Sequence, residues 1–278
     1  SDRAYWNALD TFVGDKPSTL RLTLPEIYLE DADCPARIAR IAEEMRAYRA
    51  RGIFRTLPPG FILVQRKTPF SPVRTGIVLA VDLEAYSFER QSAALIRATE
   101  ATILERIPPR LKIREAADLE FPHILLLYED MQDAVVAAAR AHRGETLYDF
   151  ELNMGGGHIR GDFIPDVQPV LDAFEGLVRD GLLFMVGDGN HSLATAKAAW
   201  ERRKADLSEE ERAAHPARFA LCEAVNIYDR GIRFEAIHRL VKGVDPDDFV
   251  RGLRPFGTAE GGLSVHGRRI PLGVAEEA

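Results

Sequence analysis

The sequence predicts an α/β or α+β fold in which helices flank a mixed β-sheet. Short apolar runs of strand length alternate with longer stretches in which apolar residues recur every three or four positions. The composition, with 46% hydrophobic and 28% charged residues, is ordinary for a globular protein. A chain of 278 residues is also long enough to bury one large core or two smaller ones.

The elements predicted for the first half of the chain follow from local periodicity and from the positions of glycine and proline. A helix rich in Arg, Glu and Ala is predicted at 34–51, because Gly52 supplies a C-terminal cap. Pro108 and Pro109 are expected to break any helix and to impose an extended path. The other elements predicted here are a helix at 4–13, a strand at 19–24 and paired strands at 61–66 and 76–81.

The second half of the chain alternates strands and helices more regularly. Two strands at 146–152 and 158–164 flank the glycine-rich loop 153–157. The hydrophobic pattern weakens near the C-terminus, which predicts a main domain at 1–244 and the start of an incomplete C-terminal segment at 245–278. The remaining predictions are strands at 124–128, 182–186, 218–227 and 232–235, helices at 133–142, 167–179 and 193–204, and a helix start within 244–250.

The most informative stretch is Gly187-Asp-Gly-Asn-His-Ser192, a predicted loop between the strand at 182–186 and the helix at 193–204. It places two glycines, a carboxylate, an amide, an imidazole and a hydroxyl at a helix N-terminus. Unpaired backbone N–H groups and the helix dipole favour an anion at such a position. The structural alternative is that Asn190 or Ser192 serves only as an N-cap.

Two residues of this loop are candidates for further chemistry. Asp188 is a candidate ligand for a divalent cation, because acidic residues near phosphates often hold one. An equally plain alternative is a structural carboxylate that accepts backbone N–H groups. His191 is a candidate proton acceptor at the start of the helix, because imidazole changes its protonation near neutral pH.

Residues 89–114 form a locally basic segment within an acidic chain. Arg97, Arg106 and Arg110 are candidate phosphate or carboxylate contacts, because a guanidinium group offers a planar fork of donors. Glu100 is the acidic residue of the segment most suited to chemistry, or it pairs with a neighbouring arginine. The alternative for the whole segment is a solvated helix face followed by a loop.

Two further clusters place polar groups in suggestive positions. The glycines at 155–157 allow either a close approach of the main chain to a ligand or a plain hairpin loop. His158, which follows them, is a core histidine, a ligand donor or an acid/base group. Buried polar groups need partners, so polar residues within the last apolar runs indicate a structural network or a site wall. These residues are Glu223, Asn226, His238 and Arg239.

Charge and cysteine content exclude several function classes. The formal net charge of −7 argues against non-specific nucleic-acid binding, which needs a basic footprint. No apolar run approaches bilayer length and the N-terminus has no signal-peptide pattern, so we expect a cytoplasmic protein that does not engage membranes. Cys34 and Cys222 lack metal-binding spacing and are expected to be reduced thiols. The oligomeric state is not predicted.

Taken together, these stretches resemble the bacterial domain-of-unknown-function 1015 family. The usual family loop reads Asp-Gly-His-His-Arg, and one subgroup reads Gly-Asp-Gly-Asn-His-Ser-Leu-Ala-Thr-Ala-Lys, which this chain matches from Gly187 to Lys197. The similar stretches occur in family order over residues 17–242. Besides the loop, they are 96–100, 107–114, 147–150, 156–159 and 237–239.

The resemblance implies a fold like those of ParB, sulfiredoxin and free-serine kinases, the last of which transfer a phosphoryl group from ADP or ATP to serine. It implies that the loop from Gly187 through Asp188, Gly189, Asn190 and His191 to Ser192 cradles nucleotide phosphates. The other implied roles are charge neutralisation by Arg97, Arg106 and Arg110, Mg²⁺ binding by Asp188, proton acceptance by His191 or Glu100, and substrate contacts by Thr99 and His158.

Two departures from the family pattern favour a non-catalytic nucleotide- or metabolite-binding regulatory module as the alternative. Asn190 stands where the common loop has His, and Ser192 stands where it has an Arg that would neutralise transferring phosphate. Family members usually begin with a Pro-Pro-Tyr-Asp segment and extend further at the C-terminus, so an incomplete chain is expected. Sulfiredoxin-like reductase chemistry ranks below both, because neither cysteine lies in the loop.

Overall fold

The computed structural model describes residues 3–89, 91–100, 107–121, 123–233, 242–253, 262–265 and 268–271. The chain divides into two units, Ser1–Arg233 and Phe234–Ala278. The domain boundary predicted between 244 and 245 stays a prediction. Within the second unit, the described elements are α8 (Pro246–Leu253) and a hairpin of β10 (Gly262–Val265) and β11 (Arg268–Pro271).

The first unit alternates helices with the strands of a large mixed sheet. Its described helices are α1 (Arg3–Val13), α2 (Cys34–Ala50), α3 (Ile107–Ala116), α4 (Ala134–Ala141), α5 (Gln168–Glu175), α6 (Asn190–Lys204) and α7 (Glu209–Ala214). Its described strands are β1 (Phe61–Thr68), β2 (Ser71–Asp82), β3 (Tyr86–Ser87), β4 (Ile96–Arg97), β5 (Leu125–Tyr128), β6 (Thr146–Leu152), β7 (Gly157–Ile164), β8 (Phe184–Asp188) and β9 (Phe219–Asn226).

The nine strands follow the order β3-β4-β8-β5-β9-β2-β1-β7-β6 in one sheet. The half from β9 to β6 is antiparallel throughout, whereas β4 runs parallel to β8 and β5 runs parallel to β9. The predicted mixed α/β class is therefore confirmed. The antiparallel pairing of β5 with β8 matters for the site, because it brings the chain before β5 and the chain after β8 to neighbouring positions.

Helices α4, α5 and α6 bury one face of this sheet. Their apolar side chains pack with residues of β2, β5, β8 and β9 in the main core, where Trp200 and Leu193 of α6 are fully buried. A second, smaller cluster joins Leu22 to the α2 residues Ile41, Met45 and Tyr48. None of the described helices is long and apolar enough to cross a lipid bilayer.

Most predicted elements of the first unit are confirmed within one or a few residues, and the exceptions are as follows. The strand predicted at 19–24 is a 3-10 turn, Thr19–Arg21, whose Leu20 N–H donates to the hydroxyl of Ser18. Ile232 and Arg233 lie outside any strand, and the rest of the predicted strand 232–235 falls outside the described residues.

Pro108 and Pro109 do not break a helix, because they lie in the first turn of α3, Ile107–Ala116. Backbone N–H groups in a first helical turn have no acceptor within the helix, so proline costs no hydrogen bond there. The expected extended path is therefore wrong. Arg110, Lys112 and Arg114 therefore lie on a helix instead.

The predicted loop 187–192 is shorter than expected. Strand β8 continues to Asp188, which pairs with Leu125, and α6 already begins at Asn190. Gly189 alone makes the turn, with φ at +83°, a conformation that favours glycine. A Cβ atom there would lie 3.2 Å from the carbonyl oxygen of His123, so the turn packs directly against the chain before β5.

Candidate functional site

The first turn of α6 has backbone donors that the helix itself does not use. The first hydrogen bond within the helix runs from Leu193 N to Gly189 O at 2.9 Å. The N–H groups of Asn190, His191 and Ser192 therefore have no acceptor in the helix, and the N-cap residue Gly189 has no side chain to cap them. This arrangement leaves three donors and the positive end of the helix dipole for an anionic group.

This turn opens onto a cleft of about 1150 Å³. All six residues from Gly187 to Ser192 lie on its wall, with Thr195 and Ala199 further along α6. Further residues of the wall come from α3, from residues 117–121 and His123, and from part of the chain between α1 and α2. A cleft of this volume is large enough for a nucleotide-sized ligand.

Asn190 holds the first turn in place instead of pointing its amide into open space. It is 6% exposed, its Oδ1 accepts from Thr99 N at 3.2 Å, and its Nδ2 donates to Thr99 Oγ1 at 3.2 Å. Thr99 Oγ1 in turn donates to Val186 O at 2.6 Å. The two predicted site residues are therefore brought together, and their side chains link the chain after β4 to the start of α6.

His191 has an enclosed polar atom without a partner. Its Nε2 is shielded from solvent and forms no hydrogen bond, whereas its backbone carbonyl accepts from Thr195 Oγ1 at 2.7 Å. A buried ring nitrogen without a partner is costly. His191 also lies on the cleft wall, in the first turn of α6.

The arginines predicted to face the loop are placed differently from one another. Arg97 donates to the carbonyl oxygens of Ala94 and Asp180, and it does not lie on the cleft wall. Arg110 lies on the wall and pairs with Glu26. Arg106 falls outside the described residues. Glu100, the predicted acidic group of this segment, is exposed and lies on the cleft wall.

His158 lies away from this cleft, on β7, where its Nε2 is 2.8 Å from an oxygen of Asp149. The nearby Asp149 also pairs with Arg160. Among the predicted site residues that the structure describes, the loop residues, Glu100 and Arg110 share the cleft. Thr99 touches its edge through Asn190.

The charged side chains of the described cleft wall are more acidic than basic. Three of the four arginines are paired with carboxylates of the same wall, Arg110 with Glu26, Arg114 with Glu120 and Arg202 with Glu115. The fourth arginine is Arg203, and the carboxylates without an ion pair are Glu100, Asp188 and Asp206. A free polyanion would therefore meet net negative charge on this wall.

Asp188 is the predicted cation ligand. One of its oxygens, Oδ1, accepts from Gly189 N at 2.7 Å, and its side chain is exposed at the cleft. Within the described residues, no three His, Cys, Asp or Glu side chains converge as a metal site. Magnesium commonly takes one or two carboxylates and completes its shell with phosphates and water, so Asp188 fits such a role with a bound phosphate.

The structure also reveals a pair of residues that sequence reasoning did not assign to the site. His123 lies on the cleft wall with its side chain 57% exposed, and its Nε2 is 3.2 Å from Oε2 of Glu223. Glu223 is only 8% exposed and also accepts from Arg74 Nη2 at 3.0 Å. Glu223 carried a sequence signal as a polar residue in an apolar run, whereas His123 carried none.

The other polar residues noted in the last apolar runs are not part of the cleft wall as the structure describes it. Asn226 is buried and donates through Nδ2 to Asp130 O at 2.7 Å, which makes it part of a structural network. His238 and Arg239 fall outside the described residues. Cys222 is buried, which raises the pKa of its thiol to about 12, and Cys34 is half-buried.

These features define the class of the protein as a mixed α/β fold with a polar cleft where β8 turns into α6. The chain belongs to the family described as protein of unknown function (DUF1015), whose model matches residues 2–269. The predicted family is therefore confirmed. A search of curated proteins and a search of solved structures each found no match.

Proposed function

We propose that the protein binds the phosphate groups of a nucleotide, ADP or ATP, or of a related phosphorylated metabolite, at the first turn of α6. The observation that supports this most is the set of three N–H groups, at Asn190, His191 and Ser192, that lack helical acceptors beside the cleft. The enclosed Nε2 of His191 adds a polar atom that needs a partner in the same place.

The charge of the wall suggests that the ligand binds as its magnesium complex. Most arginines of the described wall are already paired, and Asp188, Glu100 and Asp206 remain without an ion pair. Bound Mg²⁺ neutralises phosphate charge and tolerates nearby carboxylates. Asp188 is the residue proposed to hold it, next to the helix start.

The proposed reaction is phosphoryl transfer to a small hydroxyl substrate such as free serine. Backbone groups of the α6 start hold phosphate, Arg106 and Arg110 offset charge, and His191 or Glu100 accepts the proton. Thr99 supports the site through Asn190. With this proposal goes a fold relationship to ParB, sulfiredoxin and free-serine kinases, supported by a mixed sheet whose glycine turn leads into a helix.

A regulatory module that binds the same ligand without turnover is the second candidate. It is supported by the placement of the guanidinium groups, because Arg97 is bonded to carbonyl oxygens and Arg110 is paired with Glu26. Phosphoryl transfer needs positively charged groups next to the transferring phosphoryl group, to stabilise its negative charge. Serine at position 192, where the common loop has Arg, supplies none.

Isothermal titration of the protein with ATP and with ADP, each with and without Mg²⁺, tests the proposal. We expect binding heat with at least one nucleotide and tighter binding when Mg²⁺ is present. No heat in any of the four titrations of folded protein would contradict it. Mass spectrometry of the same mixtures with L-serine then separates the two candidates, since only the transferase forms phosphoserine.

A further inference from the structure

Three histidines lie on the described wall of the cleft, and they differ in their surroundings. His215 Nδ1 accepts from Ala217 N at 3.1 Å, and its ring lies 5.9 Å from that of Trp200. The Nε2 atom of His191 is enclosed. His123 alone among these three combines a largely exposed ring with a carboxylate partner, Glu223.

We infer that His123, oriented by Glu223, takes the place of His191 or Glu100 as the proton acceptor for the hydroxyl group that receives the phosphoryl group. The inference rests on the proposed function and names a residue for it that neither the loop motif nor the basic segment contains. His123 would act as a catalytic residue because it faces the cleft. Glu223 would act as a positioning residue because it reaches the cleft only through His123.

The burial of Glu223 gives the pair its geometry. Its side chain is 8% exposed, and Arg74 Nη2 lies 3.0 Å from the same Oε2 atom that His123 approaches. Carboxylate oxygens accept hydrogen bonds, so the 3.2 Å approach of Oε2 to Nε2 of His123 places the ring proton on Nε2. That bond leaves Nδ1 as the ring nitrogen without a proton, which is the state a base requires.

A glycine in β2 makes room for this arrangement. A Cβ atom at Gly76 would lie 2.4 Å from Oε1 of Glu223, so the carboxylate rests directly on the glycine backbone. Because Gly76 has no side chain, Arg74 and Glu223 can form their ion pair in the space beside it. A larger residue at position 76 would therefore displace the ion pair of Arg74 and Glu223.

The pair also lies next to the proposed phosphate position. Gly189 packs within 3.2 Å of His123 O, measured from its ideal Cβ position, and Glu223 N donates to Ile124 O at 2.8 Å. The phosphate donors and the proton acceptor thus come from adjoining segments of one wall. A small substrate bound between them would direct its hydroxyl to the imidazole and to the terminal phosphate.

The step is balanced with the nucleotide as the phosphoryl donor. The substrate oxygen forms a bond to the terminal phosphorus while the bond from that phosphorus to its bridging oxygen breaks. The bonding electrons leave with the shortened nucleotide. The hydroxyl proton moves to Nδ1 of His123 and then to solvent.

Steady-state kinetics with L-serine, ATP or ADP and Mg²⁺, with phosphoserine measured by mass spectrometry, test the inference. For His123→Ala we expect kcat to fall by about 10²- to 10⁴-fold with little change in KM. Added imidazole is expected to restore part of kcat, which it cannot do for a purely structural defect. His142→Ala, at the end of α4 and away from the cleft, is the matched control and should retain full activity.

Glu223→Gln tests the positioning role. We expect a smaller fall in kcat than for His123→Ala, and partial recovery in Glu223→Asp, because a carboxylate can still accept from the imidazole. Glu145→Gln, which changes an exposed carboxylate paired with Arg55, is the matched control.

The outcomes separate this inference from the proposed function. Retained kcat in His123→Ala, or a loss that imidazole does not rescue, overturns the role of His123 even where calorimetry shows nucleotide binding. Absence of phosphoserine with wild-type protein overturns it together with the transferase reaction, and leaves nucleotide binding to the calorimetric result. Absence of nucleotide binding removes the proposed function itself.

Discussion

The two ends of helix α6 differ in how their polar groups are satisfied. At the N-terminal end, the N–H groups of Asn190, His191 and Ser192 have no acceptor in the helix, and the N-cap residue Gly189 offers no capping side chain. At the C-terminal end, Trp200 is fully buried and donates through Nε1 to Oε1 of Glu84 at 2.6 Å. The same helix is therefore open at one end and anchored at the other.

Further bonds tie the anchored end to the turn before β3. Lys204 Nζ donates to Glu84 at 2.9 Å, and Lys197 Nζ donates to the carbonyl oxygen of Leu83 at 2.9 Å. Because these bonds fix the helix, it can keep N–H groups without acceptors in its first turn. Such locally unfavourable features are common at functional sites. The stability of α6 therefore depends mainly on its C-terminal end, whereas the proposed ligand binding depends on its N-terminal end.

The largest expected effect on stability is at the anchored end. Trp200→Ala should lower the free energy of unfolding by about 3–5 kcal/mol, because it removes a fully buried side chain and leaves a cavity. Urea unfolding measures this loss, with the half-buried Trp6→Ala as a control expected to lose less. Calorimetry below the unfolding transition should find nucleotide affinity unchanged, and a parallel loss of affinity would break the separation of the two ends.

A negative charge added at the open end should weaken ligand binding without lowering stability, which is the opposite of the effect expected for Trp200→Ala. Ser192→Asp should weaken Mg²⁺·ATP binding by about 10- to 100-fold, because its carboxylate repels phosphate and competes with it for the N–H groups. A loss of this size corresponds to one or two hydrogen bonds to a charged group. It should leave stability unchanged or raise it by a few tenths of a kcal/mol, because acidic residues favour the helix N-terminus. Ser192→Asn is the neutral control. Equal affinity of the Asp and Asn variants would contradict a phosphate position at this turn.

Asn190 is the exception that sharpens the comparison, because it anchors the open end. Asn190→Ala should cost about 2 kcal/mol of stability through its two hydrogen bonds to Thr99, and should also weaken nucleotide binding by displacing the first turn. Thermal unfolding and calorimetry measure the two effects, with the exposed Asn153→Ala as the control. Loss of neither property would show that the first turn does not depend on this link.

The smallest effect is expected for the charge at the anchored end. The hydrogen bond from Lys204 is the largest influence that lowers the pKa of Glu84 below its ordinary value. Such a carboxylate contributes stability above its unfolded pKa, near 4.3, and loses it as pH falls through the folded pKa. Glu84 is partly exposed, so solvent screening keeps the contribution below about 1 kcal/mol.

Glu84→Gln should therefore lower stability slightly at pH 7 and reduce the loss of stability between pH 5 and pH 3, about the range in which this carboxylate protonates. Urea unfolding at several pH values measures the difference between the variant and wild type. A variant that loses as much stability as wild type on acidification would show that this carboxylate does not contribute to the pH dependence.

Periodicity was enough to predict the regular elements, and it failed where tertiary context decides. The antiparallel strands β1, β2, β6 and β7 carry their own alternation and turn signals, so the sequence predicts them well. The two-residue strand β4 depends on pairing with the distant β8, and β3 depends in turn on pairing with β4, which no local pattern records. Pro108 and Pro109 misled for a related reason, because their effect depends on where the helix begins.

The candidate site shows the same division. The glycine-rich turn before α6 has a local signature, so its residues were predicted by position, although not the single-residue length of the turn. The link from Asn190 to Thr99 and the pair of His123 and Glu223 join residues about a hundred positions apart. The order of strands in the sheet creates these contacts, and no spacing along the sequence indicates that order.

The most direct measurement is the amide response of α6 in isotopically labelled protein during a titration with Mg²⁺·ATP. We expect the amide signals of Asn190, His191 and Ser192 to shift strongly as binding saturates, while those of Arg202 and Arg203 near the anchored end move little. Saturable binding that leaves the three first-turn amides unmoved would contradict the claim that the open end of α6 holds the phosphate groups.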